Sequence, residues 1–361
     1  MQKDPLRHPA DYEDMKELKL LVRPNIQALI ENGERKFPLP DYHSELRLHA
    51  NESPYNAPYN RYSNTELRLF CEEMGRLRGL REDCIFPAGD CEELVDLLLR
   101  LFCVPQKDNV VSIKPTSPMY AHRAALNDVE CRCVSLSSDF ELSAEKLLAA
   151  ADENTKLMLL CNPNDITGTL FPWSEVKALL EGFEGIVVID ESYIDFARCE
   201  SVRKELVRHP SLVVLDTFSV AWGAAALRLG VAYAVPAIVA YLKDVAYSCP
   251  LSIPVLEKGR ELIKHRFDVD QWVKRLLEER DRMAEALKLL PFCEKIFPSA
   301  ANFLLVRFKN ADLVYAYLSQ QGISVLPASC FDLCENCLRI SVGLPHQNSQ
   351  LLGALRKFPY A

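Results

Sequence analysis

Short runs of aliphatic and β-branched residues recur along this chain at helix-length intervals, and that alternation constrains the fold more than any other feature. Asn109–Ile113, Cys131–Leu136, Lys156–Cys161, Gly185–Asp190, Ser211–Thr217 and Gly230–Val235 read as strands. Between them lie helical stretches: Glu92–Phe102, with Leu94, Val95, Leu97, Leu98 and Leu101 apolar, then Met119–Leu126, one opened by Ser143, and Ser174–Leu180. This pattern predicts βαβ units and a mostly parallel sheet flanked by helices, an α/β fold. The unbroken apolar run Ile186–Ile189 predicts a strand covered on both faces. Ser63 and Glu66 have the spacing of a capping box and predict a helix that stops near Gly79.

Residues 1–60 read as an irregular arm with one polar helix around Asp11–Leu21. The stretch 254–290 is a long helical pattern with Lys274, Glu278 and Arg282 on a charged face. Beyond it come a strand (Asn302–Phe308), a helix (Ala311–Gln321), further strands ending in Cys337–Gly343, and a helix (Ser349–Phe358), which read as a small α+β domain. The expected division is an arm with a small-domain contribution (1–60), a large domain (61–270) and a small C-terminal domain (271–361).

Composition excludes several classes of function. With 42 Lys and Arg against 50 Asp and Glu, the net charge is −8 and no basic block offers a footprint for nucleic acid. The 13 cysteines, an odd number scattered through the chain, do not form a disulfide framework and fit a reducing, cytoplasmic setting. No apolar leader is expected at the start. The longest uncharged stretch, Leu229–Leu242, has 14 residues, short of the about 18 that a membrane helix needs. It reads as a buried strand running into a helix. Cys330, Cys334 and Cys337 with His346 lack the second half of a paired zinc motif, so no metal site is expected. Cys131 and Cys133 share one face of a strand and read as core thiols.

Five segments carry a resemblance. They are Leu48-His-Ala-Asn-Glu-Ser-Pro54, Cys161-Asn-Pro-Asn-Asp-Ile-Thr-Gly168, Val187-Val-Ile-Asp-Glu-Ser-Tyr-Ile-Asp-Phe196, Asp216-Thr-Phe-Ser-Val-Ala-Trp-Gly223 with Arg228, and Cys337-Leu-Arg-Ile-Ser-Val-Gly343. Together, in this order, they resemble the histidinol-phosphate aminotransferase family, class II aminotransferases of pyridoxal-phosphate (PLP) fold type I. The resemblance covers essentially the whole chain. It implies a large domain with a mostly parallel sheet, a small C-terminal domain and a dimer, with the pocket at the carboxyl ends of the strands. It also implies roles. Asp190 would pair with the pyridine nitrogen of PLP, keeping the ring an electron sink, and Tyr193 would bond the ring oxygen. Ser219 and Arg228 would hold the phosphate, with Cys91 and Glu92 in the turn around it, and Tyr62 would reach a partner subunit's phosphate. Arg339 and Asn51 would bind substrate. Arg228 and Arg339 stand among apolar residues, which calls for anionic partners.

The chain departs from the family at the centre of that pattern. Val220 stands where the family has the lysine that forms the Schiff base and moves the substrate proton. Thr217-Phe-Ser219 and Ala221-Trp-Gly223 bracket it without a gap. Asp165 replaces an asparagine that donates to the ring oxygen, and an ionised carboxylate only accepts. Ser117 replaces a stacking tyrosine, Asp90 a glycine of the phosphate turn, Cys91 a serine, and Leu326 a substrate-binding arginine. Lys114, at a strand end near the expected pocket, is the remote candidate for a substitute lysine.

Three readings stay open at this point. The chain is a degenerate relative without transaminase chemistry, as a homodimer or as the partner of an active aminotransferase. Or it is a working enzyme that holds PLP non-covalently through Asp190, Tyr193, Ser219 and Arg228 and acts on an amino acid or amino phosphate. Or it is a binding module for a phosphorylated metabolite.

Overall fold

The computed structural model describes residues 16–32, 48, 50–247 and 250–360. The expected helix around Asp11–Leu21 lies partly outside them; what is described is α1 (Lys16–Leu21), followed by α2 (Pro24–Glu31), which opens on Pro24. α3 (Asn64–Arg78) ends at Gly79, which takes the left-handed conformation that glycine adopts without a Cβ penalty. The expected capping box at its start does not form. Ser63 donates instead to the Leu251 carbonyl at 2.5 Å, so a tertiary contact takes the hydroxyl.

The large sheet uses β1 (Ile85–Ala88), β2 (Asn109–Lys114), β3 (Glu130–Ser135), β4 (Thr155–Cys161), β5 (Ile186–Asp190), β6 (Leu212–Thr217) and β7 (Gly230–Tyr233). Their spatial order is β1-β7-β6-β5-β4-β2-β3. All pairs from β3 across to β6 are parallel, and β7 runs antiparallel to both β6 and β1. Between strands come α4 (Cys91–Phe102), α5 (Met119–Leu126), α6 (Ala144–Ala150) and α7 (Trp173–Gly182), then α8 (Pro236–Val245) after β7.

The apolar runs are continuous because both sheet faces are covered. Val187 and Ile189 of β5 point into one core with Phe70, Leu179 and Trp222; Ile186 and Val188 point into the other with Leu94, Leu98 and Ile238. Covering both faces removes the alternation that a half-exposed strand would show. Cys131 and Cys133 correct an expectation. They share a face with their sulfurs 3.8 Å apart, but β3 is the sheet edge, so Cys133 is exposed and Cys131 only part-buried.

The helical stretch after 250 is two helices, α9 (Ile253–Lys264) and α10 (Arg266–Lys288), interrupted at His265. α10 runs from the large sheet to a second sheet of β8 (Cys293–Ile296), β9 (Phe303–Phe308), β10 (Leu326–Pro327) and β11 (Cys337–Ser341), ordered β10-β11-β9-β8. With α11 (Ala311–Gln320) and α12 (Pro345–Arg356) it encloses its own core of Met283, Leu287, Val306, Leu338 and Leu352. Cys334 and Cys337 are buried thiols, while Cys330 is exposed. Among the described residues no helix is long and apolar enough to cross a membrane.

Candidate active site

The carboxyl ends of β4, β5 and β6 gather the residues singled out by sequence. β5 ends on Asp190, the loop after β4 carries Asp165, and the loop after β6 carries Ser219, Val220 and Arg228. Strand ends in an open parallel sheet leave backbone and side chains facing a common crevice.

Asp190 is buried, at 4% exposure. One carboxylate oxygen accepts from the Tyr120 hydroxyl at 2.8 Å; the other accepts from the Ser192 N–H at 3.0 Å and its hydroxyl at 2.5 Å. Burial pushes its carboxyl up, and these donors pull against that rise. Sequence reasoning missed Tyr120 and Ser192. Tyr120 lies on α5 between Met119 and Ala121, and its neighbours His122 and Arg123 give no sign that it is buried.

Glu191, the next residue, is buried under the site. It accepts from the Ser201 hydroxyl and from the Val202 N–H at 2.8 Å, with Arg203 at 3.7 Å. Burial lifts its carboxyl from 4.5 to about 7. A carboxyl raised on folding contributes stability that is present below 4.5 and lost as the pH climbs through about 7. Glu191→Gln keeps the acceptor oxygen and has no such titration. The difference in denaturation midpoint between wild type and Glu191→Gln is therefore expected to shift in the variant's favour between those values; a pH-independent difference would contradict it.

Three elements close the phosphate end implied by the resemblance. β7 passes so near the start of α4 that a Cβ on Gly230 would lie 2.6 Å from the Asp90 carbonyl carbon. Asp90 caps α4, accepting from the Cys91 N–H at 2.7 Å and the Thr217 hydroxyl at 3.3 Å, and its second oxygen pairs with Arg228. The Gly89 N–H donates to Glu93 at 2.6 Å, a contact sequence reasoning missed although the i to i+4 spacing permits it. Cys91 is buried, its thiol pushed well up by burial, with its sulfur 3.6 Å from the Ser192 hydroxyl. Glu92 pairs with Arg123 at 2.9 Å. Ser219 has a buried hydroxyl with no hydrogen-bond partner. A cavity of about 410 Å³ opens beside this turn, and Asp90, Glu92, Glu93 and Asp96 all line it.

At the other end, Arg339 on β11 donates to the Asp165 carbonyl at 2.8 Å and to its carboxylate at 3.0 Å. The Tyr193 hydroxyl also donates to that carboxylate. The anionic partner expected for Arg339 is thus a residue of the chain itself, as it is for Arg228. Val220 packs partly buried against the large core. Lys114 ends β2, but its ammonium pairs with Asp332 at 2.7 Å, both side chains nearly half exposed. Ser117 accepts from the Met119 N–H at 3.4 Å. Leu326 lies exposed on β10, across from Arg339 in register. Tyr62 is exposed at 59%, next to an arm in which Glu52 accepts from its N–H at 2.7 Å. Asn51 is exposed and has a left-handed backbone.

PLP is the group the resemblance implies, and these residues fit it only in part. The ring end fits, since Asp190 is a buried, oriented carboxylate. The phosphate end does not. The N–H groups of Gly89 and Cys91 and the Arg228 guanidinium already face carboxylates of the chain. A phosphate at this turn would add negative charge beside the carboxylates of Asp90 and Glu93.

The fold belongs to one class of protein. The aminotransferase class I and II family matches residues 40–355. A crystal structure of histidinol-phosphate aminotransferase from Sinorhizobium meliloti in complex with pyridoxal 5'-phosphate superposes with a TM-score of 0.76 at 22% identity, covering 95% of this chain and 96% of that one. L-threonine-O-3-phosphate decarboxylase from Porphyromonas gingivalis shares the fold too, with a TM-score of 0.69 at 21% identity over 83% of this chain and 91% of that one, so the fold alone does not select a reaction. Sequence is more specific. Histidinol-phosphate aminotransferases of Bacteroides fragilis and Parabacteroides distasonis are 40% and 41% identical to it, each over 95% of this chain and 100% and 99% of their own length. The chain belongs to the histidinol-phosphate aminotransferase family, within class I and II.

Proposed function

We propose that this chain is a member of the family that carries out no amino transfer at its own pocket. The observation that carries this reading is Val220, a side chain with neither nucleophile nor base at the position of the family lysine. Lys114 is a poor substitute. Its hydrogen bond to Asp332 raises its pKa further, whereas a Schiff-base lysine must present a neutral amine.

A role as a subunit rather than a catalyst is supported by the arm. Tyr55, Tyr59 and Tyr62 are exposed at 79%, 61% and 59%. Large aromatic side chains clustered on a surface suit burial against another protein. In this reading the chain pairs with a second copy or with an active aminotransferase and offers Tyr62 to the partner's pocket.

The test is a titration of the purified protein with PLP, followed by borohydride reduction and intact mass measurement. The expected mass is unchanged, and the same sample is expected to run as a dimer in light-scattering chromatography. A stoichiometric reduced adduct on one lysine, with amino transfer from histidinol phosphate, would overturn the catalytic part. A monomer would overturn the subunit part.

A further inference from the structure

Arg228 and Arg339 each face a carboxylate from a distant part of the same chain. We propose that Asp90 and Asp165 are built-in anions that hold the pocket's two anion-binding positions and so exclude a ligand with a phosphate at one end and a carboxylate at the other. This rests on the pocket being the one named above, and it assigns two residues that the resemblance gives no such role.

At the first position the Asp90 carboxylate accepts from a helix-start N–H, a hydroxyl and a guanidinium, those of Cys91, Thr217 and Arg228. That is the donor set a phosphate requires at a helix N-terminus. Glu93 takes the neighbouring Gly89 N–H. The buried Ser219 hydroxyl is left without a partner. At the second position Asp165 accepts from Arg339 and from the Tyr193 hydroxyl, and the Arg339 guanidinium lies 5.0 Å over the Phe303 ring. An arginine held between an aromatic face and a carboxylate is a built carboxylate site. Here the carboxylate is internal, so it competes with any free ligand as an intramolecular partner.

The test uses the full chain and three probes, PLP, inorganic phosphate and the dicarboxylate succinate, in equilibrium dialysis. The variants are Asp90→Gly, Asp165→Asn and the double variant, with Glu145→Gln as a control for net charge on the exposed face of α6. Glycine is tolerated at a helix N-cap almost as well as aspartate, so Asp90→Gly is expected to fold. If the double variant unfolds, the singles still decide. Asp90→Gly is expected to tighten PLP about tenfold through its phosphate, and Asp165→Asn to tighten succinate about tenfold, the scale of one removed charge each at a partly buried site. Inorganic phosphate is expected to gain from Asp90→Gly and not from Asp165→Asn. Wild-type binding of PLP as tight as the double variant's would overturn the proposal. So would an equal phosphate gain from Asp165→Asn or from Glu145→Gln. The borohydride result is independent: tight PLP binding without an adduct defeats only the built-in anions, and an adduct defeats the reading of position 220.

Discussion

Val220→Lys leaves amino transfer at background. A lysine side chain at 220 would emerge from the Ser219–Gly223 turn, packed by its stem against the large core that Val220 now touches. It would supply the missing base and nucleophile, yet the surroundings oppose their use. Asp90 and Glu93 hold the N–H donors of the turn before α4, and Asp165 faces Arg339 and Tyr193. Ser117 offers no ring to stack against, and stacking is worth about 0.5–1.5 kcal/mol. A purified lysine-bearing relative and Val220→Lys, assayed together with histidinol phosphate and PLP, should differ by at least the about 10²–10⁴-fold that a positioned acid–base contributes. Turnover of the variant within a factor of about ten of the relative would contradict this.

Asp216→Asn produces the largest expected loss of stability. Asp216 is 3% exposed at the end of β6. Its carboxylate takes the Arg78 guanidinium at 2.8 Å and the Tyr233 hydroxyl at 3.3 Å, with Arg203 at 4.0 Å. Arg78 reaches it from the last turn of α3 and also lies 5.6 Å over Trp222. Removing the carboxylate charge strands a buried guanidinium, which costs about 3–5 kcal/mol. At roughly 2–4 °C per kcal/mol, Tm should fall by roughly 6 °C or more. The double variant Arg78→Met with Asp216→Leu removes both charges and should recover most of that loss, because a buried pair and an apolar pair of similar volume are nearly equal in stability. Equal losses in the single and double variants would show that packing, not the stranded charge, sets the cost.

Both predictions join residues that are distant in sequence, and this marks the line between what was legible in the chain and what was not. Sequence alone determined the layered α/β architecture, because helix and strand periods are local and a strand covered on both faces must be apolar throughout, as Ile186–Ile189 is. It also determined that position 220 is a valine between Ser219 and Ala221, and no fold can give that side chain a proton to transfer. Short elements escaped. β1 contains Pro87 and β8 is partly exposed, so neither stands out as a run. The break at His265 has no proline or glycine to announce it. Only the tertiary structure decided the partners. Ser63 had the spacing of a cap, yet its hydroxyl goes to Leu251, 188 residues away. Cys133 had the alternation of a core residue, yet β3 fell at the sheet edge. Arg339 required an anion, and the fold supplied Asp165 from 174 residues away. A buried or half-buried charge states in the sequence that it needs a partner, but which partner it meets depends on how strands are ordered in space.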